Sequence, residues 1–131
     1  MVLRMHPDPH QTPPLSGFVA SLQEPSTPHI SPRRLSEALG IQIGGLAEIA
    51  GVHRNTLRNP ASERLQGRLR DMVKVITAAA ALAGDVDRAL YWFKNEPIAV
   101  YRHKTAAELV AEGRLDAVLA YLEDLGNGAN G

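Results

Sequence analysis

From residue 31 onward, apolar residues recur at helical spacing, and almost nowhere at the alternation of a half-buried strand. Leu65, Leu69, Met72, Val73, Ile76 and Ala80 fall three or four residues apart. They predict one apolar stripe on a long helix that Ser62 caps, that runs to about Ala83, and that Gly84 ends. Ser31-Pro32 pairs an N-cap with a first-turn proline, and Gly40 closes that helix. Gly44-Gly45 opens a second short helix over 45–50, Gly51 turns the chain, and 53–58 forms a third that Asn59-Pro60 stops. Asp85 caps a helix over 86–94. Thr105-Ala106-Ala107-Glu108 fits a capping box, in which each end satisfies the other's backbone N–H. Gly113 breaks the chain again, and Leu115, Val118, Leu119, Leu122 and Leu125 line one face of a last helix. Ile98 to Tyr101 is the only strand candidate, so the predicted class is all-α.

The first 30 residues break this pattern. They hold six of the nine prolines and few large apolar side chains. His6-Pro7-Asp8-Pro9-His10 and Thr12-Pro13-Pro14 suit neither helix nor central strand. The reading is a tail over 1–30, disordered or loosely docked, in which Leu15 to Leu22 packs as one short turn on the body. Residues 31–84 and 85–131 then form two helical regions in series.

Composition narrows the chemistry. The chain has no cysteine, which excludes disulfides and thiolate metal sites and suits a reducing cytoplasm. No apolar run is long enough for a membrane span, and the proline-broken N-terminus lacks the apolar core of a signal peptide. His6 and His10 lie in the proline tail, and His29, His53 and His103 are isolated, so no metal site is expected. No phosphate loop, nucleophile elbow or Ser/His/Asp set stands out; a non-enzymatic protein without a cofactor is expected. Net charge is zero but uneven: residues 1–70 carry 8 Lys/Arg against 5 Asp/Glu, and residues 71–131 carry 6 against 9. A basic front and an acidic back point to two different partners.

Two segments carry candidate contacts. Leu46 to Leu57 has helix-turn-helix spacing: Ala50 is small where two helices cross, and Gly51 supplies the left-handed turn. With Val52 and Leu57 inward on Leu46 and Ile49, His53, Arg54, Asn55, Thr56 and Arg58 face outward. Those residue types suit phosphates and base edges, and Arg64, Arg68 and Arg70 add positive charge nearby. In the second segment, Tyr91-Trp92-Phe93 groups three of six aromatics and reads as core. The loop 96–104, with Glu96, Tyr101, Arg102, His103 and Lys104, reads as a contact surface. Beyond Tyr121, Glu123, Asp124, Asn127 and Gly131 belong to an acidic, glycine-rich end expected to be flexible enough to enter a cleft.

Leu46 to Leu57 resembles the Xre/Cro-type helix-turn-helix. The run Trp92, Asn95, Pro97, Lys104-Thr105, Glu108-Leu109, Glu112-Gly113, Val118, Tyr121-Leu122 resembles the toxin-binding domain of the Xre/MbcA/ParS antitoxins, and is nearest the ParS branch. The resemblance spans 31–126 in the family's order. It implies an all-α antitoxin that homodimerises through its N-terminal helical region and binds operator DNA. It also implies a RES-domain toxin as partner, one that degrades NAD or transfers ADP-ribose, whose active-site cleft the antitoxin blocks. The chain departs from the family at Tyr101-Arg102-His103, where relatives often carry a glycine-rich loop, and in its short recognition helix. The alternative is a stand-alone helix-turn-helix transcriptional regulator.

Overall fold

The computed structural model describes residues 15–128. Gly131 and the proline-rich start of the tail lie outside them. Seven α-helices follow one another: α1 (Leu15–Ser21), α2 (Pro32–Leu39), α3 (Ile43–Ala50), α4 (Glu63–Ala83), α5 (Val86–Asn95), α6 (Ala106–Ala111) and α7 (Leu115–Gly128). Two 3-10 segments, Arg54–Arg58 and Ala99–Tyr101, interrupt them. The described residues contain no strand; the Ile98–Tyr101 candidate is a buried Ile98 in a single bridge to Lys104, followed by a 3-10 turn.

The helix ends follow local chemistry. Ser31 accepts from the Arg34 amide, Ser62 from Leu65, and Asp85 from Asp87 and Arg88. Thr105 and Glu108 complete the capping box in both directions. Gly40, Gly51 and Gly84 end their helices at φ of 68°, 67° and 72°, a region that costs other residues about 1–2 kcal/mol.

The central helix is α4, against which α1, α3, α5, α6 and α7 all pack. Its expected stripe is buried, and Gln66, Val75, Ala79 and Ala83 are buried beside it. At 3.6 residues per turn these positions cover about half the circumference. A stripe suits one neighbouring layer, whereas α4 is wrapped. Trp92 and Phe93 join this core, while Tyr91 is 64% exposed.

Side chains that bond to distant backbone lock the layers. Gln66, 2% exposed, accepts from the Ile30 amide and donates to the Ile30 and Pro60 carbonyls, all at 2.8 Å. Arg34 donates to the Ser21 and Gln23 carbonyls. Leu15 to Leu22 packs on the body as expected, as α1 and a buried Leu22, and the tail beyond it is held as well, with Gln23 bridging Ile30. The prolines give no periodic signal, and the bonds that hold Ser21, Gln23 and Ile30 come from residues further along the chain. Gln66→Leu keeps the volume but leaves three partly buried backbone groups without this partner. We expect it to cost about 2–3 kcal/mol and to speed hydrogen exchange selectively at Leu22 to Ile30.

Basic residues cap helix C-termini in the same way. Lys94 Nζ donates to the Leu39 carbonyl at 2.8 Å, and Arg64 reaches the Gly51 carbonyl. Arg68 donates to the Ala50 carbonyl at 2.7 Å and the Val110 carbonyl at 3.1 Å, joining the ends of α3 and α6.

Candidate functional site

Two surface features gather the sequence's candidate residues. The first is a cleft of about 1040 Å³ between the start of α2 and the Arg54–Arg58 segment. His53, Arg54, Asn55 and Arg58 line it; Thr56 does not. The cleft adds Arg33 and Arg34 from α2, which the sequence reading missed, together with Glu24 and Glu37. Much of this charge is internally matched. Arg33 pairs with Glu37 across one turn at 3.7 Å, and Arg34 holds the chain before α2. Arg54 and Arg58 have no ion pair among the described residues. Arg68, expected to add surface charge, is occupied by carbonyls instead.

The expected third helix over 53–58 is a five-residue 3-10 segment. His53 caps it, its Nδ1 accepting from the Asn55 amide at 3.1 Å, so one face of that imidazole is held against backbone. Asn59 closes it and Pro60 cannot continue it. At about 2 Å rise per residue the segment is only about 10 Å long.

The second feature is a groove of about 270 Å³ between the start of the 96–104 loop and α7. Trp92, Glu96, Pro97, Ala99, Val100, Tyr121 and Leu125 line it. Val100 is 74% exposed, the most exposed large apolar side chain among the described residues. Sequence reading named Glu96 and Tyr121 but missed Val100. The available signal was an apolar residue in a short irregular loop, two positions past the buried Ile98.

The remaining contact candidates divide between packing and display. Tyr101 packs edge-on to Tyr121 at 6.3 Å, lies under the Arg114 guanidinium at 5.1 Å, and donates to the Ala117 carbonyl. It fixes the loop to α7 and is only half-exposed. Lys104 pairs with Glu112 and is half-exposed as well. Burial, with the Glu96 carboxylate adding to it, pushes the Tyr121 phenol above its ordinary value.

Arg102 and His103 are exposed at the loop's tip, with φ of 59° and 63°. Successive left-handed residues with side chains are costly, yet the loop holds them through the His103 amide on the Ile98 carbonyl and the Ile98 amide on the Lys104 carbonyl. Arg102→Gly should raise stability by up to about 1 kcal/mol in urea denaturation, since glycine adopts this geometry without strain. A loss of stability would show that the arginine makes contacts that outweigh its backbone strain.

The acidic end differs from expectation. The chain from Glu123 on, read as a flexible end, continues α7 to Gly128. Leu125 packs on the core, and a Cβ at Gly126 would meet Leu82 Cδ2 at 3.0 Å, so the glycine permits close approach of α7 to α4. Glu123, Asp124 and Asn127 stand exposed on this helix.

Among the described residues no cluster of His, Asp or Glu could hold a metal ion, and no helix is long and apolar enough to cross a membrane. No protein-family model, curated protein or solved structure matches the chain.

Proposed function

We propose that this chain is the antitoxin of a type II toxin–antitoxin pair, and that it neutralises a RES-domain, NAD-dependent toxin by covering the toxin's active-site cleft. The observation that carries the proposal is the groove beside Val100, which lies within the segment that resembles the toxin-binding domain. A large apolar side chain held in solvent on a braced loop, next to a concave apolar surface, has the character of a protein–protein anchor. Arg102 and His103 on the same loop, and Glu123, Asp124 and Asn127 on α7, are exposed and available for polar contacts.

The end of α7 supplies a means of occlusion. A helix C-terminus is the negative end of the helix dipole, and Glu123 and Asp124 add two carboxylates to its last turns. A pocket that binds the NAD pyrophosphate is lined with cationic and N–H donors, and this anionic tip satisfies them in place of phosphate. Because the tip is helical, it enters pre-ordered, with less entropy to lose than a flexible tail. Reversing both charges, Glu123→Lys with Asp124→Lys, leaves the packed face of α7 alone. Co-expressed with the RES-domain toxin of the proposed pair, wild-type chain should restore growth and cellular NAD, and the double variant should not. Full rescue by the double variant contradicts occlusion by the acidic tip.

DNA binding is a second reading, either as autoregulation by a homodimer joined through its N-terminal helices or as the activity of a stand-alone regulator. Arg54 and Arg58 line the cleft without an ion pair to any described residue, which favours it. If the cleft holds operator DNA, Arg54→Ala with Arg58→Ala should reduce the slope of log affinity against log salt by about 2. An unchanged slope removes the cleft from DNA recognition.

A further inference from the structure

The groove beside Val100 pairs an apolar wall with an acid that lacks a partner. Trp92, Pro97, Ala99, Val100 and Leu125 supply carbon surface, Glu96 and Tyr121 the polar groups, and no lining residue is basic. Glu96 is half-exposed and makes no ion pair with a described residue. The cations on α5 are engaged elsewhere: Lys94 on the Leu39 carbonyl and Arg88 on Asp85. Tyr121 beside Glu96 brings no positive charge to offset that carboxylate. Asp124 follows Tyr121 by three residues, so it stands on the same side of α7 and adds a second negative charge at the rim. The volume, about 270 Å³, falls below the roughly 300–1,000 Å³ of small-molecule sites and suits one long side chain.

We propose that this groove seats an arginine side chain of the protein partner. The aliphatic stem lies along Pro97, Val100 and Leu125, and the guanidinium meets Glu96 over the edge of Tyr121. Arginine fits better than lysine because its planar fork can bond a carboxylate through two N–H groups while stacking on an aromatic face, as Arg114 already does on Tyr101. The inference rests on the antitoxin reading insofar as that reading places a protein partner at this end of the molecule.

Trp92 is the sole tryptophan, so its indole N–H resonance reports on the groove. The probes are a short alanine–leucine peptide with one central arginine and the same peptide with citrulline, its neutral isostere. The arginine peptide should shift the Trp92 resonance saturably. The citrulline peptide should bind roughly three- to tenfold more weakly, and Glu96→Gln should erase that difference. Equal binding of the two peptides, an undiminished preference in the variant, or no saturable shift overturns the proposal. Growth rescue separates the two levels. Rescue by the wild-type chain with indifferent peptides removes the arginine site and keeps the antitoxin. Discriminating peptides without rescue keep the site and remove the antitoxin.

Discussion

Arg68→Ala should lower stability by about 3 kcal/mol in urea denaturation, more than any other single change at a charged residue of this protein. One guanidinium meets the carbonyls that end α3 and α6, at 2.7 and 3.1 Å, and it is partly shielded from water. Removing it leaves the Ala50 carbonyl without its donor, while the Val110 carbonyl keeps the Gly113 amide at 2.9 Å, so the two helix ends lose the bond that joins them. It also opens space beside Gly51, where a Cβ would already approach Arg68 Nη2 to 3.3 Å. Arg68→Lys should recover less than half of the loss, because an ammonium on a single stem cannot serve two carbonyls in a fixed fork. The residue joins the 31–84 region to the 85–131 region, so Arg68→Ala should also broaden the unfolding transition as the two lose cooperativity. A loss below about 0.5 kcal/mol, the range of ordinary surface changes, would show that this bond does not couple the regions.

Val100→Asp should have the largest effect on function and almost none on the fold. The side chain is 74% exposed, so its substitution removes little buried surface. In the proposed complex the same change removes the apolar anchor and sets a desolvated carboxylate against the carbon surface of the partner. Interface anchors of this kind cost about 2–4 kcal/mol, or roughly 30- to 1,000-fold in affinity. Val19→Asp is the control: Val19 is also an exposed apolar residue, at 36%, but it lies on α1 outside the groove. Toxin affinity that survives Val100→Asp while thermal stability is unchanged would move the contact surface away from this groove.

Short-range chemistry made much of the fold readable from the sequence. Ser31, Ser62, Asp85 and Thr105 each bond a backbone amide within three residues, so spacing alone locates their helices. Gly40, Gly51, Gly84 and Gly113 mark the turns because the geometry there suits glycine. Long-range pairing was not legible. Gln66 looks like a polar residue at the margin of an apolar stripe, yet it replaces a missing backbone partner 36 positions away. Arg68 reaches 42 positions to Val110, and nothing near it in sequence distinguishes it from an exposed arginine such as Arg70. The extension of the last helix past Leu125, from Gly126 to Gly128, was hidden for a related reason: Gly126 argues locally for a flexible end, and only the approach to Leu82 shows why a glycine sits there. The groove was partly visible. Glu96 and Tyr121 were named as contacts, whereas Tyr101 is taken up in packing and Val100 went unnoticed.

The central claim, that the C-terminal module blocks an NAD-dependent toxin, is tested most directly by titrating purified toxin with this chain while following NAD consumption. The toxin is a RES-domain protein of the proposed pair, purified separately. Activity should fall linearly to zero at a fixed molar ratio for the wild-type chain, and Val100→Asp should require at least about 100-fold more protein for the same inhibition. Undiminished NAD consumption at a large excess of folded wild-type chain would contradict the account.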